Sequence, residues 1–280
     1  YWIEIHQLAE YGGRPARVDA TATPAGVTVR TENVRRLAVG PAPFAGPATI
    51  LRVDGALVSG ANLQTRVGVW LTDAGTWQLA EPHAPDGEKR PGVSGPFGDL
   101  FRRGVILVTG TTGSAEERFF LDWCARDAAS FFRTWNGGVH RGGIAGESWF
   151  DFPIMTDAEY LASGDQTRNL VAFGTPRTNA LLATLAGGIG LEVGPRTIRL
   201  GGREWGGRDV AIIAVLPHPD GSDRYVAVHG GVTPDAITHG AHLGWQLLPD
   251  YLVYDGDRVV DWGHFDNRWR LPPHPIMRVT

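Results

Sequence analysis

The chain has 280 residues, 42% of them hydrophobic and 10% aromatic, with a formal net charge of −4. That length favours two modules, and that apolar content supplies packed cores, which excludes disorder as a global description. The acidic balance excludes a general nucleic-acid surface, because affinity for a phosphate backbone needs clustered Lys and Arg.

Residues 1 to 80 read as short β-prone runs broken by Gly and Pro, at 1–5, 16–22, 27–31, 37–39, 48–53, 67–71 and 76–80. Runs at that spacing, with the turns Pro24-Ala25-Gly26 and Asp54-Gly55, predict an N-terminal β-sandwich with no helix. Val27-Thr28-Val29-Arg30-Thr31 alternates as a strand with one wet face must. The opening residues 1–5 carry neither an initiator Met nor a signal-peptide pattern. They read as a strand entered in mid-chain, so the expectation is a piece of a longer protein.

Residues 81–98 hold four prolines and four glycines with little periodicity and read as a linker. Residues 99–280 then change rhythm. The apolar run 104–109 predicts a strand buried on both faces, as in a parallel sheet. After the turn Gly110-Thr111-Thr112-Gly113, Ser114 and Glu117 form a capping-box pattern for a helix reaching about Trp135, with Phe120, Cys124, Ala128, Phe131 and Trp135 on one face. A second unit pairs strand 152–155 with a short helix capped by Thr156 and Glu159. A third pairs strand 169–173 with a helix from Arg177 to Ala186, stopped by Gly187-Gly188.

Strands alternating with helices imply right-handed crossovers and a flavodoxin-like, largely parallel α/β sheet. Strands at Leu191, 197–200, 210–216, 224–229 and 252–254 are expected to extend one edge of that sheet as an antiparallel addition. No run of about 18 apolar residues is present, so no membrane span is expected.

Several motifs offer chemistry, and each has a structural alternative. A nucleophile elbow needs Gly-x-Ser-x-Gly between strand and helix, and it is absent. Gly92-Val93-Ser94-Gly95 lies in the linker, and Ser114 is better placed as a helix cap. Gly110 to Gly113 precedes a helix N-terminus, where an anion is favoured, yet it matches neither common phosphate-binding pattern. In an open parallel sheet, ligands bind where strand carboxyl ends meet a topological switch point. The rim residues Thr111, Thr112, Gly113, Ser114, Thr175, Arg177 and Asn179 are therefore the candidate ligand site, although Asn179, near a helix start, is better read as bonding its own backbone.

His229, His239 and His242 are too loosely spaced to define a metal site, and no metal or cofactor is expected. Cys124 is the single cysteine, which excludes an intrachain disulfide and reads as a buried, inert thiol. The ten tryptophans are scattered, so core roles outweigh sugar stacking.

Three passages carry a resemblance. They are Lys89-x-Pro91-Gly92-x-Ser94-Gly95-Pro96-x-x-Asp99-x-Phe101 with Val108-Thr109-Gly110-Thr111, then Asn169-Leu170-x-x-Phe173-Gly174-x-Pro176-x-x-Asn179, and Leu248-Pro249-Asp250-Tyr251. Together they resemble the C-terminal, non-catalytic region of large bacterial prolyl-oligopeptidase-like α/β-hydrolases of the esterase and peptidase type. The opening 1–5, Asn33-Val34 and Val53-Asp54-Gly55 resemble the β segment that follows the catalytic domain in those proteins.

In that family the catalytic triad lies upstream of the matched region, so the resemblance implies no catalytic residue in this chain. It implies an upstream α/β-hydrolase domain or chain as partner, an exported protein, and a role in substrate access, assembly or stability. A homo-oligomer and a cytoplasmic location are compatible with the sequence. The alternative reading is a binding module for a small anion or carbohydrate, with an autonomous hydrolase built on Ser114, His229 and Asp250 as the remaining one.

Overall fold

The computed structural model describes residues 2–41, 50–136, 152–240 and 248–272. Two compact units divide the chain: Tyr1–Ser94 with Phe265–Arg270, and Gly95–His264 with Leu271–Thr280. Most of the stretch read as a linker thus groups with the first unit.

The first unit contains β1 (Ile3–Leu8), β2 (Arg17–Thr23), β3 (Gly26–Glu32), β4 (Val34–Val39), β5 (Ile50–Val53), β6 (Ala56–Val58), β7 (Val67–Leu71) and β8 (Trp77–Ala80). They form two four-stranded sheets, in the orders β1-β4-β7-β8 and β2-β3-β5-β6. Alternation builds the core: Val27 and Val29 are buried while Thr28 and Arg30 face water. Val27, Val29 and Leu51 from one sheet pack with Leu37, Val69 and Trp77 from the other in one apolar cluster.

Strand β6 lies between the expected runs 48–53 and 67–71. It follows from Asp54-Gly55, whose positive φ angles of 50° and 83° close a tight β5–β6 hairpin. The Asp54 carboxylate then accepts from the Thr31 amide at 2.7 Å and from Trp77 Nε1 at 3.0 Å. A turn residue thereby joins β3 to β8.

The returning segment Phe265–Arg270 is bound to this unit through the only lysine. The Lys89 amide donates to the Asn267 carbonyl at 2.7 Å. Its ammonium is fully buried, 4.0 Å from the Tyr11 ring centroid and 4.7 Å from that of Trp269. An ammonium withdrawn from water is stabilised by the negative faces of aromatic rings.

In the second unit, β9 (Val105–Thr109), α1 (Ala115–Asn136), β10 (Ile154–Thr156), α2 (Asp157–Ser163), β11 (Asn169–Phe173) and α3 (Ala180–Ile189) alternate. A meander follows, of β12 (Leu191–Val193), β13 (Thr197–Leu200) and β14 (Arg203–Gly206). The unit is completed by β15 (Val210–Pro217), β16 (Tyr225–Gly231), a 3-10 turn Ala236–Gly240, β17 (Tyr251–Asp255) and β18 (Arg258–Gly263). The main sheet is seven-stranded and mixed, in the order β10-β9-β11-β16-β15-β17-β18. The ladders joining β10, β9, β11 and β16 are parallel, and those joining β16, β15, β17 and β18 are antiparallel.

Among the described residues the molecule is therefore β-rich and multi-sheeted, with few helices. No helix among them is long and apolar enough to cross a membrane.

Several local expectations are corrected. Strands β12 to β14 form a separate three-stranded sheet rather than an edge of the main one. Helix α3 begins later than Arg177, because residues 175–178 close a turn of their own: the Thr178 amide donates to the Thr175 carbonyl. It also runs through Gly187-Gly188 to end at Gly190 in the left-handed region, whose amide caps the Ala186 carbonyl. Gly188 is kept for closeness, since a Cβ there would lie 2.6 Å from Pro219. The buried face of α1 is Leu121, Cys124, Ala125, Ala128, Ala129 and Phe132, turned from the predicted stripe, with Phe120 and Phe131 half-buried.

The crossover from β9 to β10 and the one from β10 to β11 run in opposite directions across the sheet. Right-handedness then sends α1 to one face and α2 to the other. In agreement, α2 packs on α3 while α1 packs on the turn Ala236–Gly240. Adjacent strands β9 and β11 thus lead to helices on opposite faces, which defines a switch point.

Candidate ligand cleft

The turn after β9 and the turn after β11 meet at this switch point, and small residues let their backbones touch. A Cβ on Gly110 would lie 2.0 Å from the Thr178 carbonyl oxygen. Only glycine fits there. Gly174, at φ 117°, turns the chain away from β11.

The rim residues proposed from sequence divide into two groups. In the first, side chains are committed to the fold. The Thr111 hydroxyl donates to Asp157 Oδ1 at 2.6 Å. Thr112 donates through its hydroxyl to the Arg177 carbonyl at 2.9 Å and through its amide to the Thr178 carbonyl at 3.2 Å. Asn179 donates to the Val108 and Phe173 carbonyls at 3.3 and 3.0 Å and accepts from the Leu182 amide, capping α3. Ser114 accepts from the Glu117 amide at 3.2 Å while its own amide donates to Glu117 Oε2 at 2.7 Å. That is a reciprocal capping box at the start of α1. Gly113 is buried beside Glu117 and Thr178.

Thr175 and Arg177 form the second group, set apart by facing open space, although the buried Thr175 hydroxyl also accepts from the Arg177 amide at 3.3 Å. They line a cleft of about 400 Å³ over the carboxyl ends of β11 and β16. Its other walls come from Glu117 and Leu121 on α1, from residues 193–195 at the end of β12, and from residues 231–234 and Ile237 at and beyond the end of β16. Sequence reasoning placed the β11 turn here but missed these walls. Only Glu117 gave a signal, as a capping residue.

The cleft is electrically asymmetric. Arg177 ion-pairs with Glu117, the Arg177 side chain being 70% exposed and that of Glu117 12%. The guanidinium and the Ser114 amide hold the Glu117 carboxyl below its usual range, and the carboxylate in turn raises Arg177. Thr175 and Thr178 place their hydroxyls 3.2 Å apart, and the Thr175 amide donates to Thr178 Oγ1 at 2.9 Å.

Ser114, His229 and Asp250 are each held by different neighbours. Ser114 caps α1. His229 is fully buried in β16 with Nε2 2.6 Å from the Tyr254 hydroxyl, and burial pushes its pKa down to about 3. Asp250 is fully buried before β17, with His264 Nδ1 3.5 Å from Oδ1. His239 bonds Asp257 at 3.0 Å, while His242 lies outside the described residues. Cys124 is buried, its thiol pushed up to about 12 by desolvation.

The motifs behind the family resemblance prove to be internal polar fasteners. The Tyr225 hydroxyl donates to Asp99 Oδ2 at 2.6 Å and accepts from the Gly95 amide at 2.9 Å. Asn169 donates to the Leu100 carbonyl at 2.7 Å and accepts from the Tyr225 amide at 2.9 Å. A Cβ on Gly95 would sit 2.0 Å from Asp250 Oδ1, so glycine is required where the buried carboxylate packs.

No family model matches this chain, and no curated protein matches it.

Proposed function

We propose that this chain is the non-catalytic C-terminal region of an exported, prolyl-oligopeptidase-like serine hydrolase of the esterase or peptidase type. Its role there is to support an upstream catalytic domain in substrate access, assembly or stability. One observation carries this reading: Asp99, Asn169, Asn179 and Asp250, which carry the resemblance, are all buried, and the first three bond backbone or tyrosine groups of the fold itself. Shared motifs of that kind mark a common scaffold, and polar groups with buried partners are not poised to attack a substrate.

The flavodoxin-like description of the parallel strands belongs to the same proposal. It is supported by the order β10-β9-β11-β16 and by the switch point between β9 and β11. The cleft favours a compatible second reading, in which the unit also binds a small molecule.

The test is active-site labelling of the protein as its natural gene encodes it, with a fluorophosphonate probe. The proposal expects one labelled serine, in a Gly-x-Ser-x-Gly elbow outside residues 1–280. Labelling at a serine within these residues overturns it.

A further inference from the structure

We propose that the cleft beside Arg177 binds a small carboxylate with a branched apolar body, the guanidinium taking the carboxylate and the cleft walls taking the hydrocarbon. The floor is apolar, with Leu121 and Ile237 both buried and facing the cavity. Val193, Pro195, Val232 and Pro234 add apolar sides. A volume of about 400 Å³ is at the small end of ligand pockets, enough for a short acyl group or a single amino-acid residue with its neighbour.

The polar groups decide the sign of the ligand. Glu117 already accepts from the Ser114 amide and from Arg177 Nη1 and Nη2, and its side chain is largely covered. A cation would find little of that carboxylate to bind. Arg177 is the open member of the pair, and a guanidinium carries five N–H donors, so donors remain after Glu117 for a second carboxylate.

The hydroxyls nearby are engaged in the turns. Thr178 Oγ1 accepts from Thr175, and Thr233 Oγ1 donates to Asp235 at 3.1 Å and accepts from the Ala236 amide at 3.2 Å. The threonines shape the wall, which leaves Arg177 as the side chain that selects charge. The start of α1, where Glu117 sits, adds the positive end of a long helix to the same side. This inference rests on the cleft alone and not on the hydrolase assignment: serine labelling within the chain would end that assignment and leave carboxylate binding intact.

The test titrates the whole 280-residue chain by calorimetry with 4-methylpentanoate, with N-acetyl-alanyl-leucine, and with 4-methylpentanamide as the uncharged control. Both carboxylates, or the one matching the true source, should bind at least about tenfold more tightly than the amide. Arg177→Gln should erase that difference, and Val193→Trp should remove binding by filling the cavity while thermal melting is unchanged. Preference for 4-methylpentanoate assigns a free acyl acid, and preference for the peptide assigns a chain terminus. Equal binding of acid and amide, binding unaltered in Arg177→Gln, or no saturable binding of either carboxylate at about 10 mM overturns the proposal.

Discussion

Replacing Asp157 with alanine removes the acceptor that closes the strand-end turns, and its cost can be worked from what is left behind. The carboxylate is fully buried and accepts from the Thr111 hydroxyl at 2.6 Å and the Thr111 amide at 3.3 Å. It also accepts from the Ala158 amide at 2.9 Å and the Ala180 amide at 2.6 Å. Each buried donor left unsatisfied costs about 1–3 kcal/mol. Ala158 lies on the exposed side of α2, where water can replace the lost oxygen, and the 3.3 Å contact contributes least.

The Thr111 hydroxyl and the Ala180 amide therefore dominate. The expected loss is about 2–6 kcal/mol, two buried donors each left without an acceptor at about 1–3 kcal/mol. Asp157→Asn keeps one oxygen but turns an NH2 toward donors, so it should cost roughly 2 kcal/mol. Urea unfolding followed by circular dichroism gives the change in midpoint, expected to exceed about 1 M for the alanine variant. The Thr111→Val and Asp157→Ala changes should be non-additive by about 1 kcal/mol, because they share a bond. A loss below about 1 kcal/mol for Asp157→Ala would refute the reasoning.

Other residues give sharper or simpler outcomes. Ser114→Ala should lower stability by about 1 kcal/mol through loss of the cap, measured by thermal denaturation, with no change in any hydrolytic rate. Gly110→Ala should prevent the β9 and β11 turns from meeting and cost more than about 3 kcal/mol, or yield insoluble protein, because the clash is with backbone. Asp165 is held at a pKa of about 2 by the Thr167 amide, with Arg168 assisting. A carboxyl depressed on folding contributes stability above its unfolded pKa and loses it as pH falls, so Asp165→Asn should flatten the stability profile between about pH 4 and pH 2. His229 is also depressed, to about 3, so it stabilises the fold fully only above its unfolded value and loses that contribution as pH falls from about 6.5. His229→Gln should reduce the slope of stability against pH in that window.

The parts of this architecture that were legible in the sequence are those set by local chemistry. Alternation in Val27 to Thr31 gave β3, continuous apolarity gave β9 and β11, and Ser114 with Glu117 gave the start of α1. Helix ends were harder, because Gly187-Gly188 is punctuation by composition, whereas its meaning is the approach of Pro219. The placement of β12 to β14 in a sheet of their own depends on long-range pairing that no periodicity encodes.

The candidate site shows the same division. The two strand-end turns were visible as a polar rim, but the engagement of Thr111 depended on Asp157, a residue 46 positions away. Thr111, Thr112 and Asn179 looked like ligand groups and are fasteners. Arg177 and Thr175 kept a place on the cleft because the walls that frame them arrive from α1, β12 and β16.

The central claim, that these residues build a scaffold and a cleft without carrying out hydrolysis, is tested most directly by the turnover of purified residues 1–280 on p-nitrophenyl esters and a chromogenic dipeptide. The account predicts rates equal to the uncatalysed background for both the chain and its Ser114→Ala variant. Robust hydrolysis that disappears on replacing Ser114 would contradict it.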